Sequence, residues 1–174
     1  QRLFAAVGEA LTWFKLLYLE VDIERWFVFF LGMLDRMKDA AVEEALERLA
    51  VPAKIREKVR IARMRSREVL YEFTKDGGIP PSRVYDLLKP LDMEAVLLMM
   101  AKAKKDAPRK YISLYLTRLR DVRITVTGDD LKKMGIPPGP RYKDILAGLL
   151  DAKLDGAIST PEDEVAYVKN LVSA

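Results

Sequence analysis

The 174-residue chain has no histidine and no cysteine. The first absence removes the commonest general base, the usual activator of a serine or cysteine nucleophile, and the favoured nitrogen ligand of transition metals. The second removes disulfides and thiolate metal sites, and with them any mark of secretion, so a cytoplasmic location is expected. Long apolar runs are missing as well. The longest strongly apolar stretch, Trp26 to Leu34 (WFVFFLGML), is far short of the roughly 20 residues that cross a bilayer and reads as a buried helix. No basic segment leads to a small-residue cleavage site at the N-terminus, so no signal peptide is expected. Fixed-period repeats and low-complexity tracts are also absent.

What remains is half hydrophobic and 32% charged, the composition of a globular protein. Apolar residues recur at helical spacing from the start, with Leu3, Val7, Leu11, Phe14 and Tyr18 on one stripe. Two helices with a break near Glu20 to Ile23 are predicted to about Met37, and Trp13, Trp26, Phe27, Phe29 and Phe30 are expected in the core. A third helix over about Ala40 to Ala50 stops before Pro52, which cannot continue it. The fourth, about Ala53 to Lys75, places Ile55, Val59, Ala62, Val69 and Phe73 on one face. The prolines and glycines of KDGGIPPS (75–82) interrupt the chain, after which Ser82 is a candidate N-cap for a short helix ending before Pro90. Asp92 is a candidate cap for the nearly continuous apolar helix around Val96 to Met100. DAP (106–108) reads as another break, followed by a helix with Tyr111, Ile112, Tyr115, Leu116 and Leu119 on its apolar side. The β-branched RITVT (123–127) reads as an extended linker or a single strand. It divides a helical body, 1–123, from a helical tail, 124–174. Three short helices follow, the last opening on Thr160, Pro161 and the acids Glu162 to Glu164, which suit a helix N-terminus. The expected fold is therefore all-α, an irregular helical bundle followed by a small helical tail.

Net charge is only +4, but the cations are unevenly spread. Arg56, Arg60, Arg63 and Arg67 step by four, three and four along the fourth helix, beside its apolar seam. Such a row is either a solvated face neutralised by Glu57, Glu68 and acids of other helices, or a rail for phosphates. A second concentration surrounds TGDDLKKMGIPPGPRYKDIL (127–146). Here Thr127 or Asp129 can cap a one-turn helix, Gly135 suits the left-handed position after it, and Pro140 stands near the start of the next. A helix N-terminus offers unpaired amides and partial positive charge, and Gly139 permits close backbone approach. With Lys132, Lys133, Arg141 and Lys143 around it, the turn reads as a phosphate clamp or, more plainly, as a helical hairpin that only packs.

The residues Thr127, Gly128, Asp130, Leu131, then Gly135, Ile136, Pro138, Gly139, Pro140, then Ile145, Leu146, Ala152, Leu154, Asp155 and Gly156 resemble the C-terminal signature of bacterial tRNA nucleotidyltransferases, the CCA-adding and A-adding enzymes of the poly(A) polymerase family. VYDLLKPLDMEAVLLMMAKA and YLTRLRDVR are similar to the helical body that precedes it. The family's catalytic head carries a Gly-rich turn and an Asp-x-Asp pair that holds metal. This chain lacks that pattern, since Gly77-Gly78 leads into Ile79-Pro80-Pro81, and the neck motif Glu-Asp-x-x-Arg has no counterpart because EVDIER (20–25) has the wrong spacing.

The resemblance implies a C-terminal body and tail that grip the acceptor stem and elbow of tRNA. Its partners would be tRNA, the head and neck of the same polypeptide and, in a homodimer, a second copy, with no membrane. Mg and nucleoside triphosphates would belong to the head, with no cofactor and no activity in this portion alone. Two other readings stay open: a dimerisation or protein-interaction module built on the aromatic N-terminal helices, and an enzyme using Asp35, Asp39, Glu43 and Glu44, whose DAAVEEALERL context is that of an ordinary solvated helix.

Overall fold

A computed structural model describes residues 2–75 and 77–173, so Asp76 of the Lys75–Ser82 interruption lies outside the described residues. The described chain is all-α. Its helices are α1 (Arg2–Lys15), α2 (Arg25–Leu34), α3 (Asp39–Arg48), α4 (Ala53–Glu72), α5 (Pro81–Leu88), α6 (Met93–Lys102), α7 (Asp106–Thr117), α8 (Gly128–Lys133), α9 (Arg141–Leu154) and α10 (Pro161–Ser173), with a 3-10 turn at Leu119–Asp121. Cα packing groups the residues into two compact units. One holds the chain up to Gly78 together with Leu87–Ser113, and the other holds Ile79–Asp86 together with the chain from Leu114 onward. These limits are not those of the body and tail divided at residue 123 on sequence grounds.

In the first unit α6 is the central element, packing against α1, α2 and α4. Its composition requires this, because Ala95 to Met99 are all buried and no face is left for water. Val7, Leu11 and Phe14 of α1, Phe27, Val28 and Leu31 of α2, and Val59, Ala62 and Val69 of α4 complete the core. Some polar residues at this core are met by partners. Glu94, 7% exposed, accepts from the Glu24 amide at 3.0 Å, and Lys102 pairs with Asp35.

Of the aromatics expected in the core only Phe27 is buried, and Trp13, Phe29 and Phe30 are half-buried. Trp26 is 51% exposed, because α2 turns Phe27 inward and the adjacent position on a helix faces elsewhere. Tyr18 does not extend the α1 stripe: the helix ends at Lys15, Tyr18 has φ 51°, and its side chain is 87% exposed.

The second unit surrounds Val126, Leu131, Ile136, Ile145, Leu149, Ile158 and Val168, with Tyr142, Leu146 and Tyr167 packed on this cluster. RITVT is extended, and no strand occurs among the described residues. Two boundary expectations change here and in the first unit. Pro108 lies in the first turn of α7, where a missing N–H costs nothing, so DAP opens the helix instead of breaking the chain. Ser82 sits inside α5, whose first residue is Pro81. Its amide and hydroxyl donate to Oδ1 and Oδ2 of Asp155, each at 2.8 Å, so the cap of α5 comes from 73 residues downstream.

Candidate nucleic-acid interface

The α4 arginines are matched by carboxylates. Arg60 donates from Nε to Glu43 at 3.2 Å and from Nη1 to Glu57 at 2.7 Å, and the Glu43 bond is the main reason its pKa is raised. Arg67 grips both oxygens of Asp39 at 2.9 Å, a two-pronged pair that raises Arg67 and helps hold Asp39 down at about 2. Arg56 lies 3.7 Å from Glu47. Arg63 leaves the row altogether. Its side chain is 5% exposed and donates to the Leu34 carbonyl, to the Met37 carbonyl at 2.7 Å and to Asp39 at 2.9 Å. A guanidinium 5% exposed and held on three protein acceptors is shut away from an outside phosphate, so Arg63 is a structural residue that ties α4 to the end of α2 and the start of α3.

The same ion pairs occupy Asp35, Asp39 and Glu43 of the enzyme reading. Glu44 stands only 4.0 Å from Arg48, with both side chains mostly exposed. Among the described residues no group of three or more His, Cys, Asp or Glu side chains could hold a metal ion.

The second basic concentration is built differently. Thr127 caps α8 in a full capping box: its hydroxyl accepts from the Asp130 amide, and the Asp130 carboxylate accepts from the Thr127 amide at 3.0 Å. The hydroxyl's own proton goes to Asp130 at 2.6 Å, and these Thr127 bonds lower the Asp130 pKa. Gly135 follows α8 at φ 82°, the left-handed value a side chain resists. The turn is then fastened from inside, since the Tyr142 hydroxyl donates to the Ile136 carbonyl at 2.8 Å and the Tyr142 ring lies 3.5 Å from where a Cβ on Gly128 would be.

Four cations stand around this fastened turn. Lys132, Arg141 and Lys143 are exposed and, among the described residues, pair with no acid, while Lys133 reaches Asp130 at 3.4 Å. Gly139 is exposed, and a Cβ built on it meets nothing within 4 Å. The backbone contributes less than the sequence suggests: the Tyr142 and Lys143 amides donate to Gly139 and Pro140 carbonyls at 3.0 Å, which leaves fewer free amides at the α9 N-terminus. Any grip on an anion here comes mainly from side chains.

Sequence reasoning missed the residues that support the turn. Its position in the first turn of α10 suits Glu164 to the helix dipole, but it is fully buried and accepts from the Thr125 amide and hydroxyl at 2.7 Å, from the Val126 amide at 3.1 Å and from Lys153. Burial alone would push its carboxyl up, and the bonds from Lys153, Thr125 and Val126 outweigh that and hold it near 2. The segment leading into the Thr127 cap is thereby anchored to α9 and α10. The dipole role is left to Glu162 and Asp163, of which Asp163 completes a second capping box with Thr160, bonded at 3.1 Å and 2.9 Å.

No family model matches the chain. Over 172 residues, 97% of this chain, it is 38% identical to the A-adding tRNA nucleotidyltransferase of Geobacter sulfurreducens, of which it covers 20%. It thus spans about a fifth of the length of that curated relative. A Thermotoga maritima CCA-adding enzyme complexed with tRNA-CCA has the same fold over 98% of this chain and 41% of its own, with TM-score 0.71 and 18% identity. A CCA-adding enzyme in complex with CTP matches over 99% and 40%, with TM-score 0.69 and 18% identity. The chain shares its fold with part of each of these CCA-adding enzymes. Sequence identity along nearly the whole chain makes this a likeness of sequence, and not of fold alone, to part of an A-adding tRNA nucleotidyltransferase.

Proposed function

We propose that this chain is the tRNA-gripping body and tail of a nucleotidyltransferase, holding the acceptor stem and elbow while a separate catalytic head extends the 3′ end. The observation that carries the reading is the fastened turn in which Lys132, Arg141 and Lys143 stand exposed and unpaired. Cations without carboxylate partners remain available to phosphates, and a rigid turn lets them meet a fixed backbone shape, which is how structured RNA is recognised. Arg56, Arg60 and Arg67 would join only by exchanging their carboxylates for phosphates; Arg63 would not. Mg and nucleoside triphosphates belong to the head in this reading, and addition of A alone or of CCA is decided outside this chain.

The direct test is a salt titration of binding to intact tRNA beside a simple RNA hairpin without an elbow. Tight, salt-sensitive binding to tRNA supports the grip, whereas equally feeble binding to both removes it.

A second reading rests on its own observation. Trp26 (51%), Met33 (52%) and Phe4 (44%) of α1 and α2 are exposed, and Phe4 stacks on Phe29 with centroids 6.1 Å apart. Such a surface suits the head and neck of the same polypeptide or a second copy. Association through it would persist in high salt, unlike phosphate contacts.

A further inference from the structure

Within the first unit, α1, α6 and α7 line a half-open cavity of about 260 Å³. Ala6 and Ala10 keep one wall low, Trp13 and Met100 supply flat and soft apolar surface, and Glu9 and Arg109 bring opposite charges to its rim. Those two charges do not pair with each other: among the described residues no ion pair involves either. Arg109 is nevertheless held in place, because its Nε donates to the Ala103 carbonyl at 3.0 Å, and its Nη1 and Nη2 make no ion pair among the described residues. A small apolar pocket with a few convergent polar groups is the usual form of a ligand site.

The chemistry of the lining narrows the ligand. A carboxylate only accepts and a guanidinium only donates, so a molecule bridging them must present donors on one edge and acceptors on another. It must also be flat enough to lie against an indole and small enough for the cavity. Guanine meets all three demands: its N1–H and exocyclic amino group form a paired donor edge for Glu9, and O6 with N7 forms the acceptor pair that arginine recognises. Adenine and cytosine lack the two adjacent donors, and uracil offers one.

We propose that the cavity between α1, α6 and α7 is a binding site for a guanine base, with Glu9 reading the Watson–Crick edge, Arg109 the O6/N7 edge and Trp13 the ring face. The base could be that of a free nucleotide or one turned out of a folded RNA. This site stands apart from the turn at Gly139 and needs none of its cations.

The chain has two tryptophans, so Trp26→Phe leaves Trp13 as the reporter of the cavity. In that background, Trp13 emission is followed during titration with GMP, AMP, CMP and UMP, and separately with tRNA. The expected result is quenching by GMP with affinity at least about tenfold above AMP, lost by about tenfold in Glu9→Gln, as for a bidentate base contact. Glu9 is exposed and unpaired, so far-UV circular dichroism of Glu9→Gln should be unchanged. Quenching by GMP identifies a mononucleotide site, and Glu9-dependent quenching by tRNA alone identifies an RNA base. Silence toward millimolar GMP and toward tRNA overturns the proposal, as does quenching that survives Glu9→Gln or that AMP reproduces at equal affinity.

Discussion

Nη2 of Arg63 and Oδ1 of Asp39 lie 2.9 Å apart, and this contact takes the middle of the α4 arginine row out of solution chemistry and into the architecture. The same guanidinium satisfies the Leu34 and Met37 carbonyls at the end of α2. Arg63→Ala should therefore destabilise the protein by roughly 2–4 kcal/mol, the cost of leaving buried acceptors without their charged donor. Arg60→Ala should leave stability near wild type, because both its partners and its own side chain are substantially solvated. Urea denaturation of the two variants checks this, and equal losses would show that burial does not separate the two arginines.

The Lys132→Ala, Lys133→Ala, Arg141→Ala triple variant should weaken tRNA binding and flatten its dependence on salt, with helix content unchanged. Each phosphate contact contributes about 0.7–0.9 to the slope of log K against log salt, so the slope should fall by about 2. A full loss of three contacts is not expected, because Lys133 already has Asp130 at 3.4 Å. Filter binding at several salt concentrations reads the slope, and one equal to wild type would sink the assignment.

Gly139 and Gly135 separate function from folding. A Cβ on Gly139 meets nothing within 4 Å inside the protein and its φ is not left-handed, so Gly139→Ala should leave the melting temperature in place. Reduced tRNA affinity in that variant would then mean that an outside backbone approaches the site, and unaltered affinity would favour plain helix packing. Gly135, at φ 82°, also has open space around it, but alanine there should cost about 1 kcal/mol because the backbone itself resists a side chain.

Glu164 sets an acid limit on the second unit. Its folded pKa, near 2, lies below the ordinary 4.5, so its stabilisation is complete above about pH 4.5 and is lost as pH falls toward 2. Asp39 and Asp163 are also held near 2 and add to acid sensitivity in the same range. Glu164→Gln should be less stable at pH 7 and should lose less on acidification than wild type. Thermal melts at pH 7, 5 and 3 give the difference between the two proteins, and parallel curves would mean that Glu164 does not carry the effect.

Much of the fold was legible because local rules agree along this chain. The helix breaks near residue 20, at Pro52 and at Pro90 were visible as punctuation, as were the Thr127 and Thr160 caps and the left-handed Gly135. Apolar spacing identified α4's inner face and the all-round burial of α6. The turn's cations were legible as charge around a Gly-Pro segment. Invisible were the long-range partners: Asp155 on Ser82, Glu164 on Thr125 and Val126, and Tyr142 on Ile136. A carboxylate in the first turn of a helix looks the same in sequence whether it faces water, as Asp163 does in part, or points inward, as Glu164 does.

Helix positions, the all-α class and the likeness to tRNA nucleotidyltransferases follow from the residue order itself, because propensity, capping and apolar period act over a few neighbouring residues. Tertiary structure decided which charges remain free. Arg56, Arg60, Arg63 and Arg67 share one helix, yet α2 and α3 bring Leu34, Asp39, Glu43 and Glu47 to them, and among the described residues no acid pairs with Lys132, Arg141 or Lys143. Availability of a cation depends on what lies across from it, and only the folded chain brings residues tens of positions apart into hydrogen-bond range.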